Sequence, residues 1–185
     1  MDAFFDSTYG AITGQETIFD KLMEEHDRIL TFCGYVRSTC EVCVEKSAVP
    51  VAEFRSMIQF IRNYADGHHH RKEEKILFQE MTDRLGGIAV NLVQHGMLVE
   101  HDLARLLVKD LEQALEEYEQ TSSGRSLLNV IANAVGYCNL LERHIEKENT
   151  VVYPYAKKHL GPDVIRSMTE QAEKMNREDF FMERV

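Results

Sequence analysis

Proline and glycine are scarce in this chain, three and ten among 185 residues. With Leu, Glu, Lys, Ala and Met plentiful, that scarcity excludes a loop-rich architecture and fits long helices joined by short connections. No apolar run reaches the length a bilayer demands. The opening MDAFFDSTYGAITG has no basic segment followed by an apolar one, so it does not read as an export signal. Positive charge is also short. Lys and Arg number 21 against 31 Asp and Glu, for a net charge of −10. Without a compensating basic patch, neither a nucleic acid nor an anionic membrane finds the footprint it needs. Only four cysteines occur, and Cys33, Cys40, Cys43 and Cys138 crowd into two segments instead of spreading as a disulfide framework would. A reduced, cytoplasmic setting is the expectation.

What is present is enough apolar material for a core. At 44% hydrophobic and 28% charged, the chain fits a single domain over residues 1–185. Four long segments carry apolar residues at alternating spacings of three and four, the period of an amphipathic helix. The first runs from about Thr13 to Val44, opened by a capping-box spacing at Thr13–Glu16, with Leu22, His26, Ile29, Cys33, Val36, Cys40 and Cys43 facing inward. Pro50 opens the second, which Gly86-Gly87 ends, and Phe54, Ile58, Ile61, Ala65 and Ile76 mark its buried face. The third, from about Ile88 to Glu119, has Val90, Val93, Met97, His101, Ala104 and Val108 in register. The fourth, to about His159, carries Val130, Ala134, Tyr137, Leu141, His144, Glu148, Val151 and Tyr155, with a kink expected at Pro154. Short connections make neighbours antiparallel, so the predicted fold is all-α: an up-down-up-down four-helix bundle over about 13–160, then a short C-terminal helix over about 162–182.

Histidine and glutamate supply the chemistry. His-x-x-x-Glu occurs at His69–Glu73 and at His144–Glu148, and four residues along a helix put both side chains on one face, one turn apart. One such pair is weak evidence. Two pairs, on the second and fourth helices, with a histidine in the inward stripe of the first (His26) and third (His101), form a specific pattern. His70–Glu74 repeats the spacing one residue along, but at about 100° per residue His70 swings away from the Phe54–Ala65 face. His69 and Glu73 stay on its border. His68 faces inward, yet one turn on it meets Lys72, which is no ligand. His68 and His70 are therefore expected outside the ligand set, beside it or facing solvent.

Height along the bundle agrees. With a 1.5 Å rise, His26 lies roughly 27 Å before the end of helix one and His69 roughly 28 Å after the start of helix two. The same count brings His101 to His144 and Glu73 to His101 within about a turn. An internal repeat supports the pairing: His69–Glu73 with Phe78 five residues on matches His144–Glu148 with Tyr153 five residues on, and Glu25-His26-Asp27 matches Glu100-His101-Asp102. Two buried carboxylates among four imidazoles are costly unless cations compensate them. That donor mixture suits iron, with manganese or zinc as alternatives, and Glu73 and Glu148 are the natural bridging ligands. Cys40 and Cys43 continue the inward stripe of helix one and read as packing.

The segments MEEHDRIL, HHHRKEEKILF, VEHDLARLL and HIEKENTVVYP, in this order, resemble the hemerythrin-like, HHE cation-binding family over roughly residues 15–160. The resemblance implies two iron ions, oxo- or hydroxo-bridged, in a helical bundle that binds dioxygen or nitric oxide, senses redox state or iron, or helps repair iron centres. Carried over by motif, the metal ligands are His26, His69, Glu73, His101, His144 and Glu148. The partner implied is dioxygen or another small diatomic or peroxide ligand. Binding or sensing is the leading expectation, with a di-iron enzyme of oxidative or nitrosative stress and a metal-dependent regulatory module as alternatives. One departure stands out. Oxygen carriers have a further histidine one turn before the one on the third helix, and here that place is Met97, which leaves one iron short of an imidazole unless His95 fills the gap.

Overall fold

A computed structural model describes residues 16–182, with side chains described as far as Arg177. Helix α1 spans Ile18–Lys46. It opens at Thr17, whose backbone N–H (2.9 Å) and hydroxyl (2.6 Å) both donate to the carboxylate of Asp20 in the first turn. The capping box expected at Thr13 to Glu16 lies outside the described residues, apart from Glu16. At the far end Ser47 adopts a left-handed conformation (φ 50°) and returns its N–H to the Cys43 carbonyl.

The second helical run starts with α2 (Val51–Phe60) and continues through two π-helical stretches, Ile61–His70 and Glu73–Leu77. It enters α3 (Phe78–Leu92), which Gly86 interrupts at φ 71°. The residue that breaks the run is therefore one for which a positive φ carries no Cβ penalty. The third run resumes after Gly86, widens again at Val93–Met97 and becomes α4 (Leu98–Thr121). Ser122 (φ 45°) ends it, and the Ser123 hydroxyl accepts from Ser126 N–H to cap α5 (Gly124–Lys147). A fourth wide stretch, Glu148–Val152, leads into α6 (Tyr153–His159). Pro154 has no amide to donate backwards, so the disturbance expected at that proline takes the form of a π turn directly before it. Helix α7 (Pro162–Met182) follows Gly161. Among the described residues all regular structure is helical, and no helix is long and apolar enough to cross a membrane.

The π-helical stretches are real changes of hydrogen-bond register. Arg71 donates to the carbonyl of Asp66, Phe78 to Glu73, Leu98 to Val93 and Tyr153 to Glu148, each five residues back. Glycine permits the first. A Cβ on Gly67 would sit 2.7 Å from the Arg62 carbonyl oxygen, five residues earlier. The consequence is a phase shift: on the fourth run Val151 is half exposed at 49%, not inward as the three-four spacing predicts, while Val152, Tyr153 and Ala156 are buried.

The apolar core falls into two clusters. One holds Ile29, Cys33, Val36, Phe54, Ile58, Ala65, Ala104, Val108, Tyr137 and Leu141. The other holds Phe19, Leu22, Ile76, Phe78, Met81, Met97, Val152 and Tyr153, and α7 covers it with Ile165, Met168 and Ala172. Each fully buried Leu, Ile or Phe contributes roughly 1.5–3 kcal/mol relative to exposure. All four cysteines are buried, free thiols within the first cluster, as packing residues would be. Every long run passes from one cluster to the other, and the buried residues at each crossing include histidine, joined by Glu25 on the first run, by Lys72 and Glu73 on the second and by Glu148 on the fourth.

Candidate metal centre

Leu22 and Ile29 flank His26 on α1; Ala65 and Ile76 flank His69, His70 and Glu73 on the second run; Met97 and Ala104 flank His101 on α4; Leu141 and Val152 flank His144 and Glu148 on the fourth. A polar layer thus lies between two apolar clusters. His26, His69, His70, Glu73, His101, His144 and Glu148 are all at most 2% exposed. Such a concentration of buried polar groups needs an electrostatic partner or it opposes folding.

Both π stretches that begin on a glutamate, Glu73–Leu77 and Glu148–Val152, belong to the internal repeat. The five-residue offset from Glu73 to Phe78 and from Glu148 to Tyr153 is the π turn's own hydrogen-bonded step. The six residues singled out in the sequence converge here. Glu148 lies with one oxygen 3.1 Å from His26 Nε2 and the other 3.3 Å from His144 Nε2. Glu73 Oε2 is 3.6 Å from His69 Nε2 and 3.5 Å from His101 Nε2.

His70 joins them, contrary to the expectation that it stands outside. The expectation assumed 100° per residue, whereas the wide turns of Ile61–His70 advance less per residue and hold His70 inside the bundle with His69. His70 stacks on His101 with ring centroids 3.9 Å apart. Ligand atoms then form two groups, each within 4.8 Å: His26, His69, Glu73 and Glu148, and His70, Glu73, His101 and His144. Glu73 belongs to both. The imidazole that Met97 leaves missing on the third run is matched by His70 on the second. Met97 is buried in the apolar cluster, and His95 is exposed and takes no part. His68 stays outside the groups, its Nε2 3.2 Å from Glu25.

Each of the five histidines turns its second nitrogen to a fixed acceptor. His69 Nδ1 meets Glu25 (2.9 Å), His70 Nδ1 meets Asp66 (3.3 Å), His101 Nδ1 meets Glu74 (2.8 Å) and His144 Nδ1 meets Glu100 (2.9 Å). His26 Nδ1 meets the Asn149 amide oxygen at 2.9 Å. A carboxylate or an amide oxygen only accepts, so Nδ1 carries a proton, and in the neutral ring Nε2 keeps its lone pair toward the layer. Sequence reasoning missed these partners. The signal available was Glu25 and Glu100, each directly before a histidine of the repeat.

Charge in the layer is unbalanced. Burial, with Glu148 beside it, holds the Glu73 carboxyl well above the usual range. Burial would raise Glu148 too, but His144 and His26 hold it well below. His69 is pushed down to about 4 by burial, despite Glu25. His144 overcomes its burial through Glu148 and Glu100 and is pushed up to about 9. His101 Nε2 and His144 Nε2 face each other at 3.1 Å, which two lone pairs do not tolerate without a proton or a cation between them. His69 Nε2, His70 Nε2, Glu73 Oε2 and both Glu148 oxygens have no hydrogen-bond partner among the described residues. Five imidazole nitrogens and two carboxylates with unused acceptor capacity fit divalent or trivalent cations of intermediate softness.

A helical fold with two adjoining His/Glu groups buried between apolar clusters defines a cation-binding helical protein. A family model for the hemerythrin HHE cation binding domain matches residues 17–156, and the chain belongs to that family. Among curated proteins none matches the chain.

Proposed function

We propose that the chain is a di-iron protein that binds or senses dioxygen or another small oxidant, such as nitric oxide or peroxide, at a carboxylate-bridged centre. The ligands are His26, His69, Glu73, His101, His144 and Glu148, with His70 added. Glu73, which belongs to both groups, and Glu148, which lies between His26 and His144, would be the carboxylates shared between the ions. The observation that carries this reading is the orientation of five buried imidazoles, each anchored through Nδ1 and presenting Nε2 to a common space. When bound, the two ions would supply reversible one- or two-electron chemistry toward the small ligand. The protein's own residues orient, shield and hold protons. Tyr153 Oη donates to Glu73 Oε1 and lies 3.3 Å from His26 Nε2, so it fixes that carboxylate and closes that side.

Order of burial supports the antiparallel arrangement. Runs one and three enter the layer from the Leu22/Met97 cluster, and runs two and four from the Ala65/Leu141 cluster, as an up-down-up-down bundle requires. With α7 covering one end, we take residues 1–185 as one domain. Four buried free thiols support a reduced cytoplasmic setting. Metal analysis of protein purified without added metal tests the reading: about two irons per chain are expected, one for each ligand group. His101→Ala and Glu148→Ala should lower the content, and undiminished metal in both variants would sink the reading.

A further inference from the structure

Four thiols stand in the first apolar cluster, and two of them are in contact across a helix interface. Cys33 on α1 and Cys138 on α5 are both 0% exposed. As a thiol, Cys138 Sγ donates to the Cys33 backbone carbonyl at 3.7 Å. As a thiolate, it accepts from the Cys33 S–H, since the two side chains are also within hydrogen-bond reach of each other. A cysteine used only as a small hydrophobe needs no second sulfur beside it.

The other two thiols supply the contrast. Cys40 is pushed up to about 12 and Cys43 is raised as well, in both cases by burial first, so neither gives a thiolate readily. Packing accounts for them. Cys138 alone moves the other way: the hydrogen bond from Cys33 holds it below the ordinary thiol range in spite of its burial, and Arg37 adds to the effect. Cys33 is raised well above that range by the same bond and by burial. One sulfur is therefore disposed to attack and the other to keep its proton. Arg37 and Glu142 form an ion pair at 2.7 Å and act on both sulfurs. With side chains 33% and 44% exposed, they mark the side on which the buried pair comes near the surface.

We propose that Cys33 and Cys138 are an oxidisable dithiol, the modification site at which hydrogen peroxide cross-links α1 to α5. The Cys138 sulfur attacks one peroxide oxygen and the O–O bond breaks, leaving a sulfenic acid; the hydroxide released takes up the proton the thiol gave up and departs as water. The Cys33 sulfur then attacks the sulfenic sulfur: the S–S bond forms, the S–O bond breaks, and the hydroxyl leaves with the Cys33 proton as a second water. Two thiols lose two electrons and one peroxide gains them. Because the resolving sulfur already touches the attacking one, the sulfenic acid closes to a disulfide before it can be oxidised further. The inference does not rest on the di-iron reading, for no cysteine belongs to either His/Glu group. Its position is nonetheless close to them in sequence. Cys33 follows His26 by seven residues and Cys138 precedes His144 by six, so the cross-link joins the two helices that carry those histidines.

The test treats the full chain with hydrogen peroxide, as purified and again after chelation, then alkylates it in denaturant and maps the cysteines by mass spectrometry. Free thiols should fall from four to about two, with Cys33 linked to Cys138 and with Cys40 and Cys43 alkylated. The linked protein should melt at a higher temperature, and dithiothreitol should reverse the shift. Cys138→Ser should abolish the linkage, whereas Cys33→Ser should let Cys138 run on to sulfinic acid. Arg37→Gln keeps both sulfurs and should slow linkage by about threefold or more. A disulfide between any other pair, equal oxidation of all four thiols, or four intact thiols after methionine has been oxidised overturns the proposal, and the wild-type map decides this even where a serine variant fails to fold. Linkage confined to the metal-loaded protein overturns direct attack by peroxide. Wild-type protein that binds no iron defeats the di-iron reading and leaves the thiol result standing.

Discussion

The two halves of the polar layer share Glu73 and differ in almost everything else. Around His26 and His69 the surroundings are closed. Tyr153 stacks on His26 with ring centroids 5.4 Å apart and an interplanar angle of 7°, and His26 leans on the neutral amide of Asn149. Glu25, behind His69, is bound by the buried ammonium of Lys72. Around His70, His101 and His144 each imidazole is backed by a carboxylate, and Arg105 and Lys147 tie those carboxylates to the surface. A pocket lined by His70, Ala104 and Tyr137 lies against this half. One half is enclosed by protein groups on every side described, and the other lies against a pocket.

The sharpest way to break that contrast is to remove what the halves share. Glu73→Ala should abolish binding of both ions, measured as iron per chain after gel filtration, because each group loses an oxygen donor at once. His70→Ala should remove only the ion of the open half, leaving about one per chain, whereas His68→Ala should leave both. Equal losses in these two variants would contradict the separation of the groups.

A smaller effect is expected one contact further out. Glu74→Gln keeps the shape but weakens the hold on His101, and affinity in the open half should fall by about 10–100-fold in a chelator competition. Asn149→Ala on the closed half should cost less than Glu74→Gln, since a neutral amide raises the basicity of His26 less than a carboxylate does for His101. Smallest of all should be the loss of helicity on chelation. The two apolar clusters stand on either side of the layer and do not include the ligands, so far-ultraviolet circular dichroism should change little while the melting temperature drops.

Much of this was legible in the chain. Period-three-four spacing located four long helical runs, and Gly86 ended the second where expected. Paired His-x-x-x-Glu motifs and helix lengths place six residues at one level of the bundle from spacing alone. His70 was not legible by that reasoning, because an ideal helix was assumed where the backbone widens. Its traces were present nonetheless: a glycine inside a helix directly before three histidines, a vacancy at Met97 that called for one more imidazole, and the repeated five-residue step to Phe78 and Tyr153. The carboxylates behind the histidines were harder to see, since Glu25, Asp66, Glu74 and Glu100 come from elements other than those of most of the rings they hold, and only tertiary packing pairs them.

Gly67 makes the centre depend on a residue that offers no donor atom. Because a methyl group there meets the Arg62 carbonyl at 2.7 Å, even alanine forces the backbone to move. Two neighbours in sequence, His69 and His70, fall in two different His/Glu groups only while that underwound turn stays wide. The arrangement is therefore written twice in this chain: once in the histidines and glutamates, and once in a helix that departs from regularity so that adjacent histidines join different groups.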